Sequence, residues 1–96
     1  MPSDPSGAAL AHRRRAQLAA VCGRLEEAAA LYQQALALQR ESLGPDHPEV
    51  AATLHDLAVV HETMGSADHA RALWAEARSI LEPGARPDPA GGPSLP

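Results

Sequence analysis

The 96-residue chain has no lysine and no phenylalanine, and it has one cysteine, one tryptophan and one tyrosine. Without lysine it cannot supply the phosphate-binding side chain of a P-loop or the amine that forms a Schiff base with an aldehyde cofactor. The single thiol, Cys22, allows neither an internal disulfide nor a cysteine-rich zinc site, and it fits a reducing compartment. These absences exclude several common kinds of functional site.

Long hydrophobic runs are also missing. No apolar stretch approaches the roughly 18 residues that a membrane span needs, and the N-terminus lacks the basic start and apolar stretch of a signal peptide. The formal net charge of −4 does not favour a broad nucleic-acid surface. We therefore expect one small cytoplasmic domain that binds neither membrane nor nucleic acid. Its core should be thin, because alanine supplies almost half of the hydrophobic residues.

Proline and glycine are confined to a few positions. Residues 6–44 and 49–82 contain no proline, and beyond residue 7 their glycines are Gly23, Gly44 and Gly65, at an equal spacing of 21 residues. Helix-favouring residues fill the gaps, and no segment has the β-branched alternation of a strand. The sequence predicts four helices, at about 8–22, 25–43, 48–64 and 67–82.

Local signals mark the predicted helix ends. Gly44 followed by Pro45 is typical of a helix stop. Asp46 lies three residues before Glu49, which resembles a capping box at the start of the third helix. Ser66 lies at the position of an N-cap residue for the fourth helix.

The chain repeats itself with a period of 42 residues. Identical residues coincide at Ala9/Ala51, Ala16/Ala58, Gly23/Gly65, Ala28/Ala70, Ala30/Ala72, Leu31/Leu73 and Ala35/Ala77. Similar residues coincide at Leu18/Val60, Glu26/Asp68, Tyr32/Trp74 and Leu38/Ile80. The unit is therefore a pair of antiparallel helices that occurs twice.

These boundaries divide the chain into a domain and two flanks. We expect a two-repeat domain over 7–82, with repeat one at about 8–43 and repeat two at about 48–82. The flanks, 1–6 and 83–96, are rich in Pro, Gly and small residues, so we expect both to be disordered.

The second helix of each repeat carries small and large apolar residues at helical spacing. Small alanines let a neighbouring helix approach, and the single aromatic of each unit fills the space beside it. We expect Tyr32 and Trp74 to be equivalent wedges between helices rather than residues that stack on a ligand.

These residues resemble the tetratricopeptide repeat, and more narrowly its 42-residue, kinesin-light-chain-like form. The pattern is Leu54-x2-Leu57-Ala58-x6-Gly65-x4-Ala70-x2-Leu73-Trp74-x2-Ala77, with the linker LGPDHPEV at 43–50. The resemblance implies an all-α fold of two tandem antiparallel helix pairs, in which four helices form a short right-handed superhelix. It also implies a non-enzymatic interaction module, a scaffold or adaptor, that binds a protein or peptide.

The resemblance also implies a binding site, because the first helices of such repeats line a concave groove. The positions of this chain that match the groove are Arg13, Gln17, Ala20, Ala52, His55, Asp56, Val59 and Glu62. His55 and Asp56 replace two asparagines that often hold ligand backbone in the sub-family, which puts the usual peptide chemistry in doubt. Arg13 and Gln17 suit carboxylate or amide groups, and His55 could make binding depend on pH. The alternative interpretation is that these residues simply face solvent.

The two ends of the repeat pair differ from its middle. Leu36 and Ala29 in the second helix correspond to Arg78 and Arg71 in the fourth, and His12 and Arg15 make the first helix more polar than the third. Because terminal repeats need polar outer faces, we expect a complete two-repeat module. The alternative is a homodimer that hides an apolar edge at Ile80 and Leu81.

No set of residues predicts catalysis, a metal site or a cofactor. The segment His61–Gly65 begins like a zinc-protease motif but has glycine where the second histidine is required. His55 and His61 are six residues apart and point in different directions on a helix, so they cannot chelate one ion. We expect Cys22 to be a small buried hydrophobe. The run of Arg13 to Arg15 indicates a solvated face or a docking patch for an acidic peptide.

Overall fold

The computed structural model describes residues 5–82, which form four α-helices: α1 (Pro5–Val21), α2 (Leu25–Leu43), α3 (Pro48–Thr63) and α4 (Ala67–Leu81). Within this range no residue belongs to a strand. α1 packs on α2, α3 packs on α4, and α2 packs on α3. The predicted all-α fold of two tandem helix pairs is confirmed.

The predicted helix boundaries agree with the structure except at the N-terminus. α1 begins at Pro5, three residues earlier than predicted. The expectation of disorder is therefore wrong for Pro5 and Ser6, because proline is well suited to the first turn of a helix. The rest of the expected disorder, at 1–4 and 83–96, falls outside the described residues.

Both helix pairs turn back through the same hydrogen-bonded glycine turn. Gly23 and Gly65 have φ angles of +82° and +90°, in the left-handed region that favours glycine. After α1, the Arg24 N–H donates to the Ala19 carbonyl at 2.8 Å. After α3, the Ser66 N–H donates to the equivalent carbonyl of His61 at the same distance. The two turns are copies of one motif, which supports the duplicated helical pair.

The turn into α3 differs in detail from the prediction. The N-cap is His47, whose Nδ1 accepts a hydrogen bond from the Glu49 N–H at 3.1 Å. The capping box predicted from Asp46 is wrong, because the helix begins one residue later than that motif requires. Ser66 precedes α4 as predicted, but its side chain makes no capping hydrogen bond, and its backbone is not extended as a capping residue's usually is.

The core lies along the seam between α2 and α3. Val50, Leu54 and Leu57 of α3 are almost completely buried, in one cluster with Tyr32 and Leu36 of α2. Alanines without exposed surface line the seams within each pair, namely Ala16, Ala28, Ala58 and Ala70. The seam also holds a buried hydrogen bond that sequence patterns did not predict, in which the Thr53 hydroxyl donates to the Gln39 amide oxygen at 2.6 Å.

The outer helices are less well covered than the inner ones. Leu18 is 65% exposed, whereas its counterpart Val60 is 3% exposed. The expectation of a buried Cys22 is wrong: it is exposed, because it lies in the turn that ends the outermost helix. Arg15 is exposed, as a polar outer face requires, but Leu18 and Val21 show that the outer side of α1 also keeps apolar surface.

Candidate functional site

Two of the predicted groove residues bind each other across the face shared by α1 and α3. The guanidinium Nη2 of Arg13 lies 3.2 Å from Asp56 Oδ2, and the two side chains are 20% and 28% exposed. A partly buried ion pair holds its side chains in place better than a fully exposed one. Arg13 and Asp56 therefore join the two repeats and are not free charges that await a ligand.

Tyr32 lies close to this ion pair. Burial raises the pKa of the Tyr32 hydroxyl, the negative charge of Asp56 acts in the same direction, and the positive charge of Arg13 opposes them. The phenol therefore stays neutral throughout the physiological range. Tyr32 is 3% exposed and wedged between helices, as the sequence predicted.

The other groove candidates on α3 form an exposed stripe. Ala52, His55, Val59 and Glu62 are all exposed, and their spacing places them on one side of the helix. Val59 is 43% exposed and is one of five exposed large hydrophobic residues in the described part of the chain. The stripe therefore offers apolar, imidazole and carboxylate groups side by side.

The groove residues of α1 are less uniform. Gln17 is exposed, but Ala20 is half-buried and packs against the core, so its side chain offers little surface to a ligand. Leu10 is 47% exposed and was missed by sequence reasoning. The 42-residue repeat could have identified Leu10, because it aligns Leu10 with Ala52 in the exposed stripe of α3.

An open depression of about 460 Å³ lies between α3 and α4. Its lining residues are Ala51, Ala52, His55, Asp56, Trp74, Ala77, Arg78, Leu81 and Glu82. The Trp74 ring is half-buried, and its centroid lies 6.3 Å from that of the His55 imidazole, at a tilt of 50°. The prediction that Trp74 and Tyr32 are equivalent wedges is thus wrong, because the two rings have different surroundings. α3 covers Tyr32, whereas no helix within 5–82 covers Trp74 in the same way.

A second pair of neighbouring rings, formed by two histidines, lies at the seam between α3 and α4. The His61 and His69 rings are stacked, with centroids 4.2 Å apart and planes inclined by 14°. His61 is 8% exposed, and neither of its ring nitrogens has a hydrogen-bond partner among the described residues. Burial lowers the pKa of His61, and the neighbouring His69 lowers it further. The sequence did not indicate this burial, in which the His61 ring fills space between α3 and α4.

Among residues 5–82 no three His, Cys, Asp or Glu side chains are grouped in a way that could hold a metal ion. In the same part of the chain, no helix combines the length and the apolar character needed to cross a membrane.

The sequence model of the tetratricopeptide repeat matches residues 7–82. The match covers both helix pairs and most of the chain, and the chain therefore belongs to the tetratricopeptide repeat family. Such repeats generally mediate protein–protein interaction, and they are typically non-enzymatic. The narrower kinesin-light-chain-like sub-family is consistent with this match and stays a prediction. No curated protein matches the sequence.

Proposed function

We propose that the protein is a non-enzymatic interaction module that binds a peptide or partner protein along the groove formed by α1 and α3. The observation that carries this proposal is the exposed stripe of α3, from Ala52 through His55 to Glu62, beside exposed Leu10 and Gln17 of α1. Family membership supports the same role, because repeats of this kind generally bind proteins.

The groove favours a ligand of mixed character. Asp56 neutralises Arg13, so a strongly charged ligand gains little at the centre of the face. Leu10 and Val59 offer apolar contact on either side, and Gln17 can donate and accept hydrogen bonds. We therefore expect an extended or helical segment with small apolar side chains and unpaired backbone or amide groups.

The test compares two double variants of the full chain. Gln17→Ala with Val59→Asp alters the groove, whereas Gln33→Ala with Gln34→Ala alters exposed residues of α2 outside it. Neither variant touches the ion pair of Arg13 and Asp56, so the join between the repeats is kept. Circular dichroism should show the same helicity for both.

Quantitative affinity capture from native lysate then gives the result. The groove variant should lose proteins that the wild type and the α2 variant retain. Equal capture by all three chains would contradict the groove.

The remaining predictions from sequence stay predictions. Self-association as a homodimer is tested by light scattering of the purified chain over a range of concentrations. A cytoplasmic location and a role as a scaffold or adaptor are part of the same proposal. They are tested by imaging the tagged protein and by identifying what it captures.

A further inference from the structure

α4 carries a surface that the groove does not use. Arg71, Trp74, Arg78 and Leu81 follow at intervals of three, four and three residues, so they share one side of the helix. We call this surface the end face. Arg71, Arg78 and Leu81 are exposed and Trp74 is half-buried. Leu81, at 60% exposed, is one of the most exposed large hydrophobic residues in the described part of the chain.

The repeat itself shows what kind of element fits such a surface. The residues of α2 at the same repeat positions are Ala29, Tyr32, Leu36 and Gln39, and all four are buried. α3 covers them: its residues share one apolar cluster with Ala29, Tyr32 and Leu36, and its Thr53 hydroxyl bonds to Gln39. The element that matches the shape of the end face is therefore a helix that packs as α3 packs on α2.

The charge that such a helix needs follows from the residues that differ between α2 and the end face of α4. Ala29 and Leu36 of α2 become Arg71 and Arg78 on the end face. Two acids lie near these arginines. Asp68 is 3.8 Å from Arg71 and almost fully exposed, so this pair is weak, and Glu82 is one of the residues that line the depression. A helix that covers both guanidinium groups needs carboxylates opposite them.

A third basic position lies beside the end face. In the first repeat, Asp56 of α3 pairs with Arg13 close to Tyr32. In the second repeat, the counterparts of Arg13 and Tyr32 are His55 and Trp74. The His55 and Trp74 rings are neighbours in the depression. A helix in the register of α3 thus directs its counterpart of Asp56 towards His55. The two arginines, with the imidazole of His55 beside them, therefore favour an acidic helix.

A second copy of this chain does not meet that requirement. The helix of the second copy that corresponds to α3 is α1, and it carries Arg14 where α3 has Asp56 and Arg15 where α3 has Leu57. Head-to-tail stacking would bring these arginines to a surface that already carries Arg71 and Arg78, and like charges brought together at an interface oppose binding.

We propose that the end face binds an acidic amphipathic helix of a partner protein, in the register that α3 adopts on α2. The end face shares no residue with the α1–α3 groove, although Ala52, His55 and Asp56 of the groove line the depression beside it. The variants used to test it, at Arg71 and Arg78, are not groove residues. A failure here would leave the groove proposal standing.

The probe is a synthetic peptide with the sequence of residues 46–63, which contains α3, and with the change Leu57→Glu. Leu57 shares the apolar cluster with Ala29 and Leu36, the counterparts of Arg71 and Arg78, so this change places a carboxylate on the side of the peptide that meets the arginines. With it the peptide has five acidic residues and no aromatic ring other than histidine. Trp74 is the only tryptophan of the chain, so its fluorescence reports on the end face directly. Titration of the full-length chain at about 0.1 M salt should give a saturable change in Trp74 emission. The same peptide with Asp56→Arg should bind about tenfold more weakly, because a carboxylate near the arginines of the end face is replaced by a positive charge.

Two chain variants with the same change in net charge separate docking on the end face from other effects. Arg71→Gln with Arg78→Gln removes two positive charges from the end face, whereas Gln33→Glu with Gln34→Glu adds two negative charges to an exposed part of α2. The first should weaken peptide binding about tenfold and the second should have a much smaller effect, because surface charges act mainly over short distances at moderate salt. All three chains should keep the same helicity.

Four outcomes would overturn the proposal. Trp74 emission that does not saturate excludes a specific site, and equal binding by both chain variants means that the peptide docks elsewhere or replaces the internal α3. A concentration-dependent dimer that Arg71→Gln with Arg78→Gln abolishes would make a second copy the occupant. Binding that requires removal of 83–96 would assign the end face to the chain's own C-terminal segment.

Discussion

α2 and α4 occupy equivalent positions in the two repeats, yet they meet different surroundings. α2 lies between α1 and α3 and buries seven residues, whereas α4 packs mainly on α3, meets α2 through the ion pair of Arg40 with Glu76, and buries two. The alanines at Ala28/Ala70 and Ala35/Ala77 are buried in both helices. The difference lies on the side that faces the next helix. Packing within a repeat is thus duplicated, and packing between repeats occurs once.

The largest expected effect comes from exchanging the residues that distinguish the two faces. Leu36→Arg should cost about 3–5 kcal/mol of the free energy of unfolding, because it places an unpaired charge in the buried seam. In so small a domain this loss should abolish cooperative folding. The reverse change on the end face, Arg78→Leu, should alter stability by no more than about 0.5 kcal/mol, as is usual at an exposed position.

Urea denaturation followed by circular dichroism measures the change for Arg78→Leu and should show no cooperative transition for Leu36→Arg. Similar stabilities for the two variants would mean that the two faces are covered to the same extent, and the comparison of α2 with α4 would fail.

A smaller difference should separate the two aromatic residues. Tyr32→Ala should cost about 3 kcal/mol, because the buried ring leaves a cavity between α2 and α3. Trp74→Ala should cost about half as much, although tryptophan is larger, since one side of its ring already faces solvent. The shift of the urea midpoint at constant slope reports each loss. A larger loss for Trp74→Ala would show that the end face is closed in solution.

These comparisons also show which features the sequence could predict. The 42-residue register fixes helix number, order and turns, because Gly23 and Gly65 must adopt positive φ angles and small alanines must lie where helices cross closely. It also places the groove candidates on one face, since helical periodicity determines which side chains share a side.

Other features depend on contacts between helices, which the periodicity of the sequence does not specify. The pairing of Arg13 with Asp56 joins residues on different helices, and each looks like a free ligand group in the sequence. His47 replaces Asp46 as the N-cap because the helix starts at Pro48, a shift of one residue that the local pattern does not specify. Trp74 is only half-buried because no helix within 5–82 covers it, and the residue type itself does not specify this.

The smallest effect concerns pH and again distinguishes the two repeats. His61 is buried at the seam of repeat two, whereas repeat one has Ala19 at that position. Because the pKa of His61 in the folded chain lies below its usual value of 6.5, the unfolded chain binds a proton first as the pH falls. Stability should therefore be complete above about pH 6.5, decrease as the pH falls towards the folded pKa, and level off below it.

His61→Phe removes this contribution while it keeps an aromatic ring beside His69. The free energy of unfolding, measured at pH 7.5 and pH 5, should fall less in this variant than in the wild type. The other histidines remain in both chains, so the difference between the two falls isolates His61. An identical pH dependence would contradict the assignment.

Amide hydrogen exchange followed by mass spectrometry tests the central claim most directly, namely that two copies of one helical pair share a single inter-repeat seam. We predict the slowest exchange in α2 and α3, which line that seam, and faster exchange in both α1 and α4, whose outer sides are open. Protection that is uniform over 5–82, or highest in α4, would contradict the account.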